Sequence, residues 1–134
     1  MKQMLSLTGV VLLSSVGLFA AQTLKVTNNT HEPIECKLHT NTDQVKIIAA
    51  GKSVSFSIDM PMLTGIDWQI PSQSNPKCND WYVLNKTSSA VLSLNKQKKD
   101  ATLIIADDGG FELIAGTSRQ KTNSMKAYAD VCHK

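Results

Sequence analysis

The chain has 134 residues, with 14 Lys or Arg against 11 Asp or Glu, and a formal net charge of +3. This length suits one domain with a modest single core. So mild a positive excess does not indicate a nucleic-acid partner.

The first twenty residues have the order of a secretory signal peptide. Lys2 provides a positive start, residues 4–19 are uncharged and mostly apolar, and Ala20 and Ala21 provide small residues for cleavage. The apolar run is short for a bilayer span and is interrupted by Ser and Gly. We therefore expect residues 1–20 to be removed, leaving a secreted or periplasmic protein with no transmembrane segment in the mature chain.

The remaining chain contains short runs in which apolar and polar residues alternate. The clearest is 53–59, where Val54, Phe56 and Ile58 alternate with serines and an aspartate. Period two is typical of a strand with one buried face and one solvated face. Further strands are predicted at 23–27, 33–40, 45–47, 66–70, 81–84, 90–94 and 111–115. The run at 101–106 is apolar on both faces and suits a central strand. Eight or nine short antiparallel strands at this spacing predict an all-β single domain, a β-sandwich or small barrel, over residues 21–116.

The segment 66–85 holds both tryptophans of the chain, Trp68 and Trp81, together with Cys78. Large aromatic side chains contribute most of the apolar area in a small core, so the flanking hairpins are expected to pack on this segment. The segment 71–80 is predicted to be a loop with aromatic edges. It is one of two candidate binding regions, with Trp68 and Trp81 as its candidate contacts.

Residues 117–134 have a different pattern and are predicted to form a tail. Ser124 could cap a short helix in which Met125, Tyr128 and Cys132 share one face. An isolated helix of this length is marginal in water. It would need to dock on the domain or be tied to it covalently.

Three cysteines in an exported chain allow at most one intramolecular bridge. Cys36 lies on the inward face of a predicted strand, where a free cysteine behaves as a small apolar residue. Cys78 and Cys132 lie outside the regular strands, so a Cys78–Cys132 disulfide is the preferred pairing. The two other pairings stay open, because sequence alone cannot determine connectivity.

No set of catalytic or metal-ligating residues is evident in the sequence. Cys36 and His39 are three residues apart on a strand and therefore point to opposite faces. Alternation also places Asp67 on the face opposite Trp68, which predicts a solvated carboxylate. Asp107-Asp108-Gly109 lacks the further carboxylates of a calcium loop and predicts a turn. We expect no enzyme activity, no metal and no cofactor.

The second candidate binding region is a basic turn at 95–99 that carries Lys96, Lys98 and Lys99. Arg119 and Lys121 could lie near it. Such a cluster could meet phosphate or sulfate groups. The predicted partner is an anionic lipid headgroup or an acidic glycan, or else a protein.

Residues 24–30, Leu-Lys-Val-Thr-Asn-Asn-Thr, and 50–58, Ala-Gly-Lys-Ser-Val-Ser-Phe-Ser-Ile, resemble the first strands of several exported β-sandwich groups. Thaumatin-like and aegerolysin-like proteins are among these groups. The cysteine set of the thaumatin group is absent, and the resemblance implies no functional residues here.

Together these features predict a secreted, non-catalytic binding or effector module, because loops on a rigid β scaffold commonly carry recognition. A small secreted inhibitor of a hydrolase, using a protruding loop such as 70–80, is the alternative. A small hydrolase is the third possibility.

Overall fold

The computed structural model describes residues 22–58, 63–72, 75 and 77–132. The predicted signal peptide lies outside these residues. The described chain forms ten strands and one helix: β1 Gln22–Asn29, β2 Ile34–His39, β3 Gln44–Ile48, β4 Ser53–Ile58, β5 Gly65–Pro71, β6 Cys78–Asn85, α1 Ser89–Gln97, β7 Ala101–Ala106, β8 Phe111–Ala115, β9 Ser118–Thr122 and β10 Ala129–Cys132. None of the helical structure in these ranges is long and apolar enough to cross a bilayer.

The strands form two five-stranded sheets that pack as a sandwich, so the predicted all-β class is confirmed. Sheet one has the order β4-β1-β7-β8-β9, and sheet two has the order β10-β6-β5-β2-β3. All neighbours are antiparallel except β1 and β7, which are parallel. The fully antiparallel arrangement that we predicted is therefore wrong at this pair.

The edges of the two sheets are joined by side chains at β3 and β4. The Gln44 amide donates to the Ser57 carbonyl at 2.5 Å, and the Lys46 ammonium donates to the Ser55 carbonyl at 2.7 Å. These bonds satisfy carbonyl groups of an edge strand without extending the ladder from one sheet into the other. Of the two predicted architectures, the sandwich is therefore the one that forms.

The core lies between the sheets and is centred on the β5–β6 hairpin, as the sequence predicted. The Trp68 ring is stacked on Tyr82 of the same sheet, with centroids 5.9 Å apart. It also meets the edge of Phe111 from sheet one at 6.1 Å. Gly109, in the β7–β8 turn, has φ of 80° and packs on Tyr82, where a Cβ would lie 2.3 Å from the ring. Glycine is required there by both conformation and space.

The segment predicted as a strand at 90–94 is instead part of α1. The Ser88 hydroxyl caps the helix by accepting from the Val91 N–H at 3.3 Å. Ala90, Val91 and Leu94 form its buried face. A short apolar run has ambiguous periodicity, and here the serine cap and the helical spacing of the buried residues decide its structure. Because α1 carries the chain from sheet two to sheet one, β7 can lie parallel to β1.

The predicted C-terminal helix is also wrong, because the tail forms strands. β9 pairs with β8, and β10 pairs with β6. Ser124 has φ of 43°, which is left-handed and differs from the extended backbone of an N-cap. Cys132 lies opposite Cys78 and is bonded to it, so the preferred disulfide is confirmed and Cys36 is free and buried. A strand that pairs and is crosslinked is more favourable than a marginal helix.

Candidate functional site

The outer face of sheet two carries a concave site at its centre. The cavity there has a volume of about 190 Å³. Its lining residues come from three adjacent strands and from β10: Glu35, Lys37, Asp67, Gln69, Trp81 and Val131. Gln69 on β5 lies opposite Glu35 of β2 on one side and opposite Trp81 of β6 on the other. The pleat therefore brings these three side chains into one row across the sheet. We call this region the outer-face site.

Asp67 organises the outer-face site from its base. It is only 7% exposed, although it lies on the face that points away from the core. The Trp81 indole N–H donates to Asp67 Oδ2 at 2.9 Å, and His39 Nε2 bonds to Asp67 Oδ1 at 2.7 Å. Both carboxylate oxygens are therefore occupied, which offsets the cost of burying the charge.

Trp81 is held from two sides. Its indole N–H is directed to Asp67, and its ring meets the Tyr128 ring edge to face with centroids 5.0 Å apart. The Tyr128 backbone N–H also donates to the Trp81 carbonyl at 2.7 Å. Tyr128 itself is 70% exposed. The two rings therefore form an aromatic pair on a solvent-facing surface.

The charged groups of the site are mixed in sign, with carboxylates in excess. Lys37 lies 3.7 Å from Asp43, and His39 Nδ1 lies 3.4 Å from the same carboxylate. Glu35 and Asp67 complete the group. A site of this composition can offer hydrogen-bond acceptors and one ammonium donor to a polar ligand.

The two tryptophans predicted as binding residues have different positions. Trp81 lies in the outer-face site. Trp68 is 1% exposed in the core and offers no surface to a ligand, so its assignment as a binding residue is corrected. The predicted loop at 71–80 is also shorter than expected, since β5 ends at Pro71 and β6 begins at Cys78.

The predicted basic residues lie elsewhere, around the C-terminal end of α1. Lys96 is in the last helical turn, and Lys98 is the C-cap, with φ of 53°. Lys99 follows and lies near Gly116, at the turn between β8 and β9. All three lysines are exposed. Lys96 lies in the helix and the other two lysines follow it, so the three do not lie in a turn between two strands as predicted.

Arg119 and Lys121 both lie on β9, where their side chains are exposed. The Arg119 guanidinium is 3.1 Å from Glu112 of β8, the neighbouring strand. Lys121 lies opposite the same glutamate across the β8–β9 ladder. Arg119 is therefore already paired with a carboxylate, which leaves the three lysines as the main positive group at this end of the molecule.

Asp67 and His39 were not predicted from the sequence to belong to a binding site. Asp67 was predicted to be solvated, which is correct about the face of the sheet and wrong about exposure. Side chains of two neighbouring strands cover Asp67, and no local sequence pattern predicts this burial. The one available signal was an acid and a histidine on the same outward face as Trp81.

The surroundings of His39 and Cys36 differ. Each ring nitrogen of His39 faces a carboxylate oxygen. Cys36 lies on the opposite face, where burial and the nearby Asp67 charge raise the pKa of its thiol to about 12. Among the described residues, no group of three His, Cys, Asp or Glu could hold a metal ion.

Fold and site together define a class, a two-sheet β-sandwich with an aromatic and polar site on the outer face of one sheet. No protein-family model matches the chain, and no curated protein matches it. Among solved structures, the NMR structure of the protein from Eubacterium rectale has 15% sequence identity and a TM-score of 0.43. That alignment covers 74% of this chain and 91% of the other.

Proposed function

We propose that this protein is an exported, non-catalytic binding module that recognises a glycan through the outer-face site. The observation that carries the proposal is the Trp81 indole, held on a solvent-facing sheet by a buried carboxylate. Burying the Asp67 carboxylate beside the indole N–H contributes little to the apolar core. Its burial would be costly without the two hydrogen-bond partners. Such preorganisation is useful to a ligand, because side chains that are already ordered lose less entropy on binding.

A sugar matches the chemistry of this surface. A pyranose ring has one face of apolar C–H groups and an edge of hydroxyls. Trp81 supplies an apolar surface, while Glu35, Gln69 and Lys37 supply acceptors and donors around it. The cavity is smaller than the roughly 300 Å³ at which sites for drug-sized ligands begin, so we assign it one sugar residue of a longer chain.

The charge of the site favours an uncharged or amino-bearing sugar. Lys37 is its one ammonium among the lining residues, and it lies beside Asp43. The carboxylates of Glu35 and Asp67 would repel an acidic group. The acidic partner expected from the sequence therefore belongs, if anywhere, to the three lysines at the end of α1.

The alternatives have less support. The hydrolase inhibitor would use a protruding loop, and residues 73, 74 and 76 of that segment lie outside the described residues, so no observation favours it. The hydrolase would need a free base, and His39 faces carboxylates at both nitrogens.

Export is supported by two observations. The charge, apolar stretch and small residues of 1–21 have the order of a signal peptide. The Cys78–Cys132 disulfide is of the kind that persists in oxidising compartments. We therefore propose that the protein acts in the periplasm or the extracellular medium.

A glycan array that includes neutral, amino-bearing and acidic sugars tests the proposal, with affinities of the hits measured by calorimetry. Replacing Trp81 by Ala should weaken binding at least about ten-fold, since truncating a buried interfacial tryptophan commonly costs more than 1 kcal/mol. Asp67→Asn should weaken it less, because the ring keeps its surface and loses part of its orientation.

Two controls make the result specific. Trp68→Phe changes the buried tryptophan of the neighbouring strand and should lower stability without changing affinity. Replacing Lys96, Lys98 and Lys99 by Gln should also leave glycan affinity unchanged. If the lysine variant loses binding while Trp81→Ala keeps it, recognition lies at the end of α1 and the outer-face site is rejected.

A further inference from the structure

The strand β10 forms one wall of the outer-face site. Val131 lines the cavity, and Tyr128, just before the strand, packs on Trp81. The strand has only four residues and pairs with β6 alone, at the edge of sheet two. Short edge strands open more easily than central ones. The fraction of molecules in which β10 is paired with β6 therefore determines how often the site is complete.

A pair of carboxylates lies within this pairing. Asp130 of β10 is directly opposite Asp80 of β6, two residues from the Cys78–Cys132 disulfide on the same two strands. Directly opposite residues of an antiparallel pair have their side chains on the same face, with Cβ atoms about 5 Å apart. Like charges at such positions are destabilising, so protonation of one carboxyl group strengthens the docking of β10 and ionisation of both weakens it.

The surroundings of the pair hold further acidic groups. Burial, the hydrogen bond with Asp130 and the Asp130 charge raise the pKa of Asp80, while a hydrogen bond from the Ser72 hydroxyl lowers it. Burial and the charges of Asp80, Asp108 and Asp130 also raise the pKa of the Tyr82 phenol. Asp108 belongs to the turn between β7 and β8.

We propose that protonation of the Asp80–Asp130 pair docks β10 on β6, and that this docking completes the outer-face site. Only the predicted effect on ligand binding rests on the proposed function. The docking of β10 on β6 does not depend on it. The direction follows from linkage. Docking of β10 favours the protonated pair. The stabilisation that the pair gives to docking is therefore fully present below the ordinary carboxyl pKa of 3.8. It is lost as pH rises through the raised pKa. The site is therefore tightest in acid and loosens toward neutral pH.

Hydrogen exchange of the backbone amides at 128–132 tests this, with rates normalised to the intrinsic exchange rate at each pH between about 4 and about 8. In the parent protein, protection of these amides should fall as pH rises, about ten-fold for each unit by which docking raises the pKa of Asp80. Asp130→Asn keeps a hydrogen-bonding side chain and removes one charge. It should hold the amides at their acid level of protection throughout.

Two further variants, a second test variant and a control, accompany this experiment. Asp80→Asn removes the charge from the other strand and should have the same effect if Asp130→Asn folds poorly. Asp43→Asn removes an exposed carboxylate that lies near Lys37 and His39, and it should leave the pH dependence of β10 unchanged. Protection that is flat with pH in the parent protein, or that still falls in both Asp80→Asn and Asp130→Asn, overturns the proposal.

Affinity for the glycan identified on the array is then measured at the same pH values. Tighter binding in acid by the parent protein, with pH-independent binding by Asp130→Asn, supports the link to the site. Unchanged affinity while protection falls overturns the link. If no glycan binds although protection depends on pH, the docking of β10 stands and the proposed function fails.

Discussion

At the scale of single residues, Asn28 shows how a buried polar side chain orders a turn. It is fully buried at the end of β1. Its amide donates to the carbonyls of Glu32 and Ile48 at 2.8 and 2.9 Å, and its side-chain oxygen accepts from the N–H and hydroxyl of Thr30. All of its hydrogen-bonding capacity is used, so it joins the β1–β2 turn to the end of β3 without an unsatisfied group.

We predict that Asn28→Asp lowers the free energy of unfolding by about 3 kcal/mol or more near neutral pH. The new carboxylate would face two carbonyl oxygens that had lost their hydrogen-bond donors. No ion pair is described at this position. Urea denaturation measures the change. Asn29→Asp, at an exposed neighbouring position, should stay within about 0.5 kcal/mol of the parent. Equal losses in the two variants would contradict this account of Asn28.

At the scale of elements, β10 is the least supported strand of sheet two. It has one hydrogen-bonded neighbour, and its end is joined to β6 by the disulfide across a sequence separation of 54 residues. Crosslinking a loop of that length removes enough entropy from the unfolded chain to contribute about 4 kcal/mol. The covalent bond thus compensates for a short ladder.

We predict that Cys132→Ser lowers the free energy of unfolding by about 4 kcal/mol and exposes residues 117–132 to protease. Thermal unfolding and limited proteolysis measure the two effects. Cys78→Ser should give the same loss, and the double variant should add little to either, because all three break one bond. Parent protein treated with a reductant should behave like the variants. Detection of Cys132 as a free thiol in the non-reduced protein would refute the prediction.

At the scale of the whole molecule, the fold begins close to the predicted cleavage site. The Gln22 side chain donates to the carbonyls of Leu94 and Lys99, at 3.1 and 2.7 Å. The Thr23 N–H donates to Asp100 at 2.9 Å. The start of β1 is thus attached to the end of α1. Cleavage after Ala20 would leave this attachment intact.

We predict that the exported protein begins at Ala21 or Gln22, because the small residues there suit signal peptidase. N-terminal sequencing of protein recovered from the periplasm or medium measures this. Removing Gln22 as well should lower thermal stability, since the Leu94 and Lys99 carbonyls would each lose one hydrogen bond, whereas removing Ala21 alone should not. Recovery of an exported product that still carries Met1 would contradict the prediction.

Several features of this protein could be predicted from sequence because they depend on local periodicity and composition. Period-two alternation predicted the positions of most of the strands, because successive side chains on a strand point to opposite faces. The Asp-Asp-Gly-Gly turn and the central position of the β5–β6 segment followed from backbone freedom and aromatic size. Even the Cys78–Cys132 pair was favoured by position alone, since Cys36 occupied an inward strand position.

Only the tertiary structure decided the rest, because the deciding contacts join residues far apart in the chain. The run at 90–94 becomes a helix because its buried face packs between the sheets, and the tail becomes strands because β8 and β6 offer free edges. Trp68 and Trp81 look alike in sequence, yet one fills the core and the other lies on Asp67. That difference, and the site built on it, arises from strands β2, β5, β6 and β10 meeting side by side, which no single segment encodes.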